Sequence, residues 1–171
     1  MTDRWKTIAA TFGAAVPLAF TALISPLPAV LWNTTASAPI GFYRVRPVGR
    51  LDVGDLVIAG PPEPLATWLD DAGYLPRGVP LLKGVAAVAG QRVCRTGDIV
   101  TVDGRPTARA RKRDRLGRSL PTWLGCRRLA VGEVFLLNPA APDSFDGRYF
   151  GPTEVGDVLG RATLLWTWKE R

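Results

Sequence analysis

The segment Leu81–Gly104, LLKGVAAVAGQRVCRTGDIVTVDG, decides the fold class. It holds three strand candidates in close succession, Leu81–Val88, Arg92–Arg95 and Ile99–Val102, separated by Gly- and Asp-containing breaks. Valine and isoleucine recur, and no run is long enough to carry an amphipathic helical stripe. Asp103-Gly104 closes the segment as a two-residue hairpin turn, because both positions tolerate the positive φ such turns demand. A further strand is expected after Arg105.

The same punctuation extends in both directions. Strands are expected at Phe42–Arg46, Asp55–Ala59, Glu133–Leu137 and Val158–Trp168. Glu63–Ala72 (EPLATWLDDA) is the one soluble helix with clear signals, Pro64 near its start and Gly73 after its end. Gly and Pro make up 33 of the 171 residues, which favours short strands and turns over long helices. The expectation is a mainly β protein with enough chain for one cored domain.

No residue from Thr7 to Tyr43 is charged. Thr7–Trp32 is apolar enough and long enough to span a bilayer as one helix. Pro17 would be a tolerated kink, Pro26 and Pro28 its end, and Trp32 an interfacial anchor. Arg4 and Lys6 ahead of an uncharged flank orient the N-terminus to the cytoplasm. Residues 1–32 are thus expected to be a cytoplasmic tip and membrane anchor, and 33–171 an extracytoplasmic domain. The rival is a cleaved secretory signal, since Ala36-Ser37-Ala38 has the A-x-A form. The apolar run exceeds an ordinary signal core, however, and Pro39 would follow the cut directly, so a retained anchor is the expectation.

The chain has no histidine. That excludes Ser-His-Asp and Cys-His hydrolases, and zinc sites built on His. A proton-transfer enzyme made from this sequence must use Lys, Asp, Glu or Tyr as its base. A net charge of +7 suits nucleic acid, anionic lipid or an acidic partner without choosing among them.

Four serines and four lysines narrow the search for a nucleophile and a base. Ser37 lies just past the apolar run in NTTASAPIGFY (33–43), where small residues leave room for a substrate. Lys83 lies in VPLLKGVAAV (79–88) with no other charge nearby in sequence. Burial there disfavours the ammonium form and lowers its pKa, so that a neutral amine can take a proton from a hydroxyl. A strand lysine that reaches out to water is the alternative. A third cluster, NPAAPDSFDGRYFGP (138–152), is dense in Asp143, Ser144, Asp146 and Arg148. It reads either as a local turn or as a support for Lys83. In the second reading Ser144 accepts or relays a hydrogen bond and Asp146 pairs with Arg148.

Two cysteines, Cys94 and Cys126, allow a single intrachain pairing, which an exported domain would form. The bridge would close a loop of about 33 residues and add roughly 3–4 kcal/mol. Two buried free thiols are the alternative. Ala108–Arg118 (ARARKRDRLGR) reads as a solvated basic loop, or as a contact to lipid headgroups or an acidic partner.

Taken in order, the anchor, NTTASAPIGFY, PLLKGVAAVAG (80–90) and DSFDGRYFGP (143–152) resemble the signal peptidase I family. Its conjugative-transfer branch, the TraF-type maturation peptidases, is the nearer likeness. The resemblance implies a fold of coiled antiparallel sheets around a groove beside the membrane. It implies a Ser/Lys dyad of Ser37 and Lys83. The oxyanion hole would be the Ser37 amide and the Thr35 hydroxyl. Ser144 would position the lysine, and Asp146-Gly147-Arg148 would match the family's D-S-R. Departures are Ala38 for the usual Met, Gly84 for a basic residue, Gly147 for Ser, and Val88-Ala89-Gly90-Gln91 for an L-P-G-D turn.

What the resemblance implies is a single-pass inner-membrane serine endopeptidase with a periplasmic catalytic domain and no cofactor or metal. Its partners would be membrane lipid and an exported precursor such as a pilin prepeptide, cut or cyclised in conjugative transfer. The competing reading is non-enzymatic: an anchored basic β-domain serving as a structural part of a secretion or conjugation channel. Nucleic-acid binding is disfavoured by the expected export and by the lack of aromatics within the basic stretch.

Overall fold

A computed structural model of the protein describes residues 2–23 and 28–167. The chain opens with helix α1 (Thr2–Leu23), whose residues 4–16 are all exposed. Among the described residues no helix is long and apolar enough to cross a membrane. The apolar run expected as one helix over Thr7–Trp32 is divided. Its 24–27 portion, with Pro26, lies outside the described residues, and its end forms strand β1 (Val30–Asn33). Trp32 therefore sits on a strand, opposite Phe42 of β2 (Gly41–Arg46), with the ring centroids 4.5 Å apart. The sheet thus begins at Val30, ahead of the expected 32/33 boundary.

Ten further elements follow. They are β3 (Leu56–Ala59), α2 (Glu63–Asp71), β4 (Leu81–Ala87), β5 (Arg92–Thr96), β6 (Ile99–Val102), β7 (Arg105–Arg109), β8 (Gly125–Arg128), β9 (Glu133–Leu137), β10 (Thr153–Glu154) and β11 (Val158–Thr167). Eight of them are expected from the sequence; strands β8 and β10 are not among those expected. A short helix, α3 (Gly147–Phe150), lies between β9 and β10. The expected end of the last strand at Trp168 lies outside the described residues. Every described strand pair is antiparallel. Seven strands form one sheet in the order β1-β2-β11-β3-β4-β9-β10, and four form a second in the order β7-β6-β5-β8.

Alternation along the strands explains the core. Ile58 packs with Ala38, Tyr43, Val45, Leu82 and Ala162, whereas its neighbours Val57 and Ala59 pack with Val85, Val134, Leu136 and Val158. Strand β3 is thus covered on both faces, as its unbroken Leu-Val-Ile-Ala requires. A third cluster joins the two sheets: Ala87, Phe135 and Leu137 from the large one meet Val93, Val100 and Val102 from the small one. Asp103 and Gly104 form the β6–β7 turn at φ 48° and 78°, the left-handed pair that the turn requires.

Cys94 and Cys126 face each other across β5 and β8 and form a disulfide. Strand β8 is exposed along its whole length, so the bridge is a covalent tie where apolar burial is lacking. In α2, Trp68 stacks on both Tyr74 and Phe145, which joins the helix to the 138–152 segment.

Candidate active site

The β1–β2 connection, residues 34–40, carries Thr35 and Ser37. Its two ends are pinned by the Asn33–Gly41 register pair. Gly41 is required there, because a Cβ would lie 2.0 Å from the Trp166 carbonyl oxygen. Side chains hold the loop's backbone. The Asn33 amide Nδ2 donates to the carbonyls of Thr35, Ala38 and Pro39 at 2.9, 3.1 and 3.1 Å. Its Oδ1 accepts from the Thr35 amide at 3.2 Å and from the Thr35 hydroxyl at 2.9 Å. Tyr43 Oη donates to the Pro39 carbonyl at 2.6 Å. The hydroxyls of Thr35 and Ser37 lie 3.1 Å apart.

Lys83 sits on β4 opposite Val57 and is only 3% exposed. It does not reach water as a surface lysine would. Its Nζ donates to Ser144 Oγ at 2.8 Å. Burial lowers the lysine pKa to about 8, against the pull of the Asp146 carboxylate and with the help of Arg148. A useful fraction of Lys83 is then neutral near pH 7, and a neutral amine accepts a proton. Asn138 grips the backbone on either side of Lys83. Its Oδ1 accepts from Gly84 N at 2.9 Å and its Nδ2 donates to the Leu82 carbonyl at 3.1 Å.

Asp146 and Arg148 form a buried pair, 0% and 1% exposed. Arg148 Nε and Nη2 each donate to a separate Asp146 oxygen at 2.8 Å. Nη2 also reaches the carbonyls of Asn138 and Ala141 at 3.1 and 2.7 Å, so one guanidinium closes the loop that presents Ser144. Asp146 further accepts from Asn138 N at 3.0 Å and caps α3 through Arg148 N. Burial is the largest single influence and opposes the Arg148 cation, but the bond to Asp146 together with the charges of Asp146, Tyr149 and Asp143 leaves its pKa raised. Gly147 stands where the family usually has Ser. Its Cβ would lie 2.7 Å from the Leu136 carbonyl oxygen and 2.8 Å from the Phe135 ring, so β9 leaves no space for one.

The basic stretch 108–118 is mostly an exposed loop, as expected, and it is tied at both its start and its middle. Ala108 and Arg109 belong to β7, and Arg111 and Arg115 both ion-pair with Asp143, the neighbour of Ser144. Asp114 bonds the Tyr74 hydroxyl and Arg118, and these bonds hold its carboxyl far below the usual range. Arg118 also lies 4.5 Å over the Tyr74 ring.

The site residues therefore form two groups. Thr35 and Ser37 share one hydrogen bond, and Lys83, Ser144, Asp146 and Arg148 are linked through Asn138. No hydrogen bond among the described residues joins Ser37 to Lys83. The groups approach through their neighbours, since Ala38 and Leu82 belong to one apolar cluster. Asn33 and Asn138 went unremarked as site residues in the sequence. Each lies in a polar, turn-like stretch where an asparagine has no signal of its own. Among the described residues no cluster of His, Cys, Asp or Glu could hold a metal ion.

The chain is 39% identical over 147 residues to a probable conjugal transfer protein TraF of Sinorhizobium fredii, covering 80% of this chain and 76% of that one. It is 35% identical to a conjugal transfer protein TraF of Agrobacterium fabrum, over 79% and 81% of the two chains. It is 31% identical to a plasmid transfer protein TraF of Escherichia coli, over 95% and 96%. A crystal structure of a signal peptidase I from Enterococcus faecalis superposes with a TM-score of 0.41 at 18% identity, over 68% of this chain and 99% of that one. The family profile described as signal peptidase, peptidase S26, matches residues 2–168, and with nearly the whole chain inside that match the protein belongs to this family.

Proposed function

We propose that the chain is a membrane-anchored serine endopeptidase in which Ser37 is the nucleophile and Lys83 the base. The observation that carries this is the state of Lys83: 3% exposed, with a pKa of about 8 and its amine held by Ser144. Neutral Lys83 takes the Ser37 proton as Oγ bonds to the scissile carbonyl carbon. The oxyanion that develops is met by the Ser37 amide and the Thr35 hydroxyl; losing one such donor typically costs about 10²–10³ in rate. As the carbon–nitrogen bond breaks, Lys83 returns the proton to the leaving amine. Water then releases the acyl-enzyme with Lys83 as base.

The names of the relatives point to conjugal transfer. The proposed substrate is accordingly an exported precursor of a conjugation apparatus, such as a pilin prepeptide. Capture of the acyl-enzyme by the precursor's own amine would give a cyclic product, lighter than the hydrolysed one by a water. The proposal includes an inner-membrane anchor. It is supported by the uncharged run from Thr7 and by the exposure of Trp5, Ile8, Phe12 and Val16 on α1. Resistance of the chain to alkaline extraction from membranes tests that part.

The chemistry is tested by processing of an exported conjugative pilin precursor by Ser37→Ala and Lys83→Ala variants. Both are expected to be inactive. Processing at the wild-type rate by both would remove the peptidase reading and leave a structural role in the channel.

A further inference from the structure

The polarity of the hydrogen bonds around Ser37 can be worked out from their partners. Asn33 is 7% exposed and touches five polar atoms of the loop. Three of them are carbonyl oxygens, which only an NH₂ can satisfy, and one is the Thr35 amide, which only an oxygen can. The amide orientation is thereby fixed. Oδ1 has no proton to give, so at 2.9 Å it must accept the Thr35 hydroxyl proton. With its only proton committed, Thr35 Oγ1 can engage Ser37 at 3.1 Å only as acceptor. The proton therefore points from Ser37 to Thr35 to Asn33, and not toward Lys83.

We infer that Asn33 is a positioning residue of the Ser37 site, holding the loop through its amide and setting the direction of the Thr35 and Ser37 hydroxyls through its carbonyl oxygen. The inference rests on the roles proposed above for Ser37 and Thr35. In the free protein the Thr35 proton is parked on Asn33. For turnover it rotates to the oxyanion, and the Ser37 proton turns to Lys83. The loop does not collapse when Thr35 lets go, because Oδ1 keeps the Thr35 amide and Nδ2 keeps the three carbonyls. Asn33 thus lets the hydroxyl move while the backbone stays.

The test is a pair of double-mutant cycles on the full chain in proteoliposomes, reading kcat and KM for a pilin precursor that the wild-type chain processes. Asn33→Ala should lower kcat by about 10²-fold, the scale of a small misplacement of reacting groups, with KM nearly unchanged. In a Thr35→Val background the same substitution should cost far less, since the hydroxyl it governs is gone. Tyr43→Phe is the control: it loosens the same Pro39 carbonyl without touching Thr35, and its effect should add to that of Thr35→Val. Asn33→Ser is run alongside, so that poor folding of the alanine variant does not leave the cycle open. Additive losses for both asparagine variants, or an unchanged kcat, would overturn the inference. Ser37→Ala separates the two levels: if it processes precursor like wild type, the peptidase reading itself has failed. If it is inactive while the Asn33 variants keep full kcat, only the role of Asn33 has.

Discussion

Lys83 Nζ and Ser144 Oγ meet at 2.8 Å although they stand 61 residues apart, and the amine has almost no contact with solvent. The pairing gives a buried lysine one fixed direction without giving it a counter-ion. That is the arrangement a neutral base needs. A carboxylate in the place of Ser144 would hold the proton on the amine.

The first prediction concerns pH. Activity should rise as Lys83 deprotonates, with an ascending limb near pH 8 in kcat/KM. Steady-state rates measured from pH 6 to about pH 10 would show it. A flat profile would mean that no group with this pKa acts as base.

Stability should respond to the same group in a defined window. The folded pKa, about 8, lies below the ordinary 10.5, so the native state binds fewer protons between those values and is stabilised as pH rises through them. Below pH 8 the full penalty of burying the ammonium is present, on the order of 3 kcal/mol. Lys83→Met should therefore be more stable than wild type at pH 7, and the difference should shrink toward pH 10.5. Denaturant unfolding of the two proteins at several pH values checks the sign.

The Asp146–Arg148 pair should be costly to break. Removing one partner leaves the other buried and uncompensated, a loss of about 3–5 kcal/mol. Arg148→Met should also free the loop carbonyls of Asn138 and Ala141 and release Ser144 from Lys83. A large fall in Tm together with loss of precursor processing is expected.

Gly147→Ser restores the residue usual in the family and should nevertheless destabilise this protein. Its Cβ has to enter space held by the Leu136 carbonyl and the Phe135 ring. Overpacking of this kind costs about 1–3 kcal/mol, readable as a lower Tm.

Reduction of the Cys94–Cys126 bridge should remove roughly 3–4 kcal/mol by freeing the unfolded chain. Because β8 buries no side chain, that strand should be the first to exchange its amide protons after reduction.

Much of the β-architecture was legible in the sequence, because buried strands carry their own signal. Ile99–Val102 and Glu133–Leu137 run just as their apolar residues read, and the Asp103-Gly104 turn announces itself. Strand β8 was not legible, since Gly-Cys-Arg-Arg has no apolar face and is held by pairing and by the disulfide. Strand β1 was hidden inside an uncharged run that reads as continuous helix, and only its pairing with β2 reveals it. At the site, Lys83 stood out because a lone charge in an apolar strand is anomalous. Asn33 and Asn138 did not, because their importance lies in which backbone atoms they reach. The basic stretch is largely the exposed loop its composition reads as, but its ion pairs to Asp143 were not legible, because that residue is far away in sequence.

The strand order sets a geometric condition on the proposed chemistry. Between β1, which leads into Ser37, and β4, which bears Lys83, stand β2, β11 and β3. Four inter-strand steps in a flat sheet would put those strands about 19 Å apart. Nucleophile and base can therefore meet only if the sheet rolls its edge inward. Register shifts at Leu164/Trp166, Val158/Gly160 and Val85/Ala87 lie on the strands between and beside them. Catalytic competence then becomes a property of curvature, and a substitution that straightens β11 could silence the site while leaving every proposed catalytic residue in place.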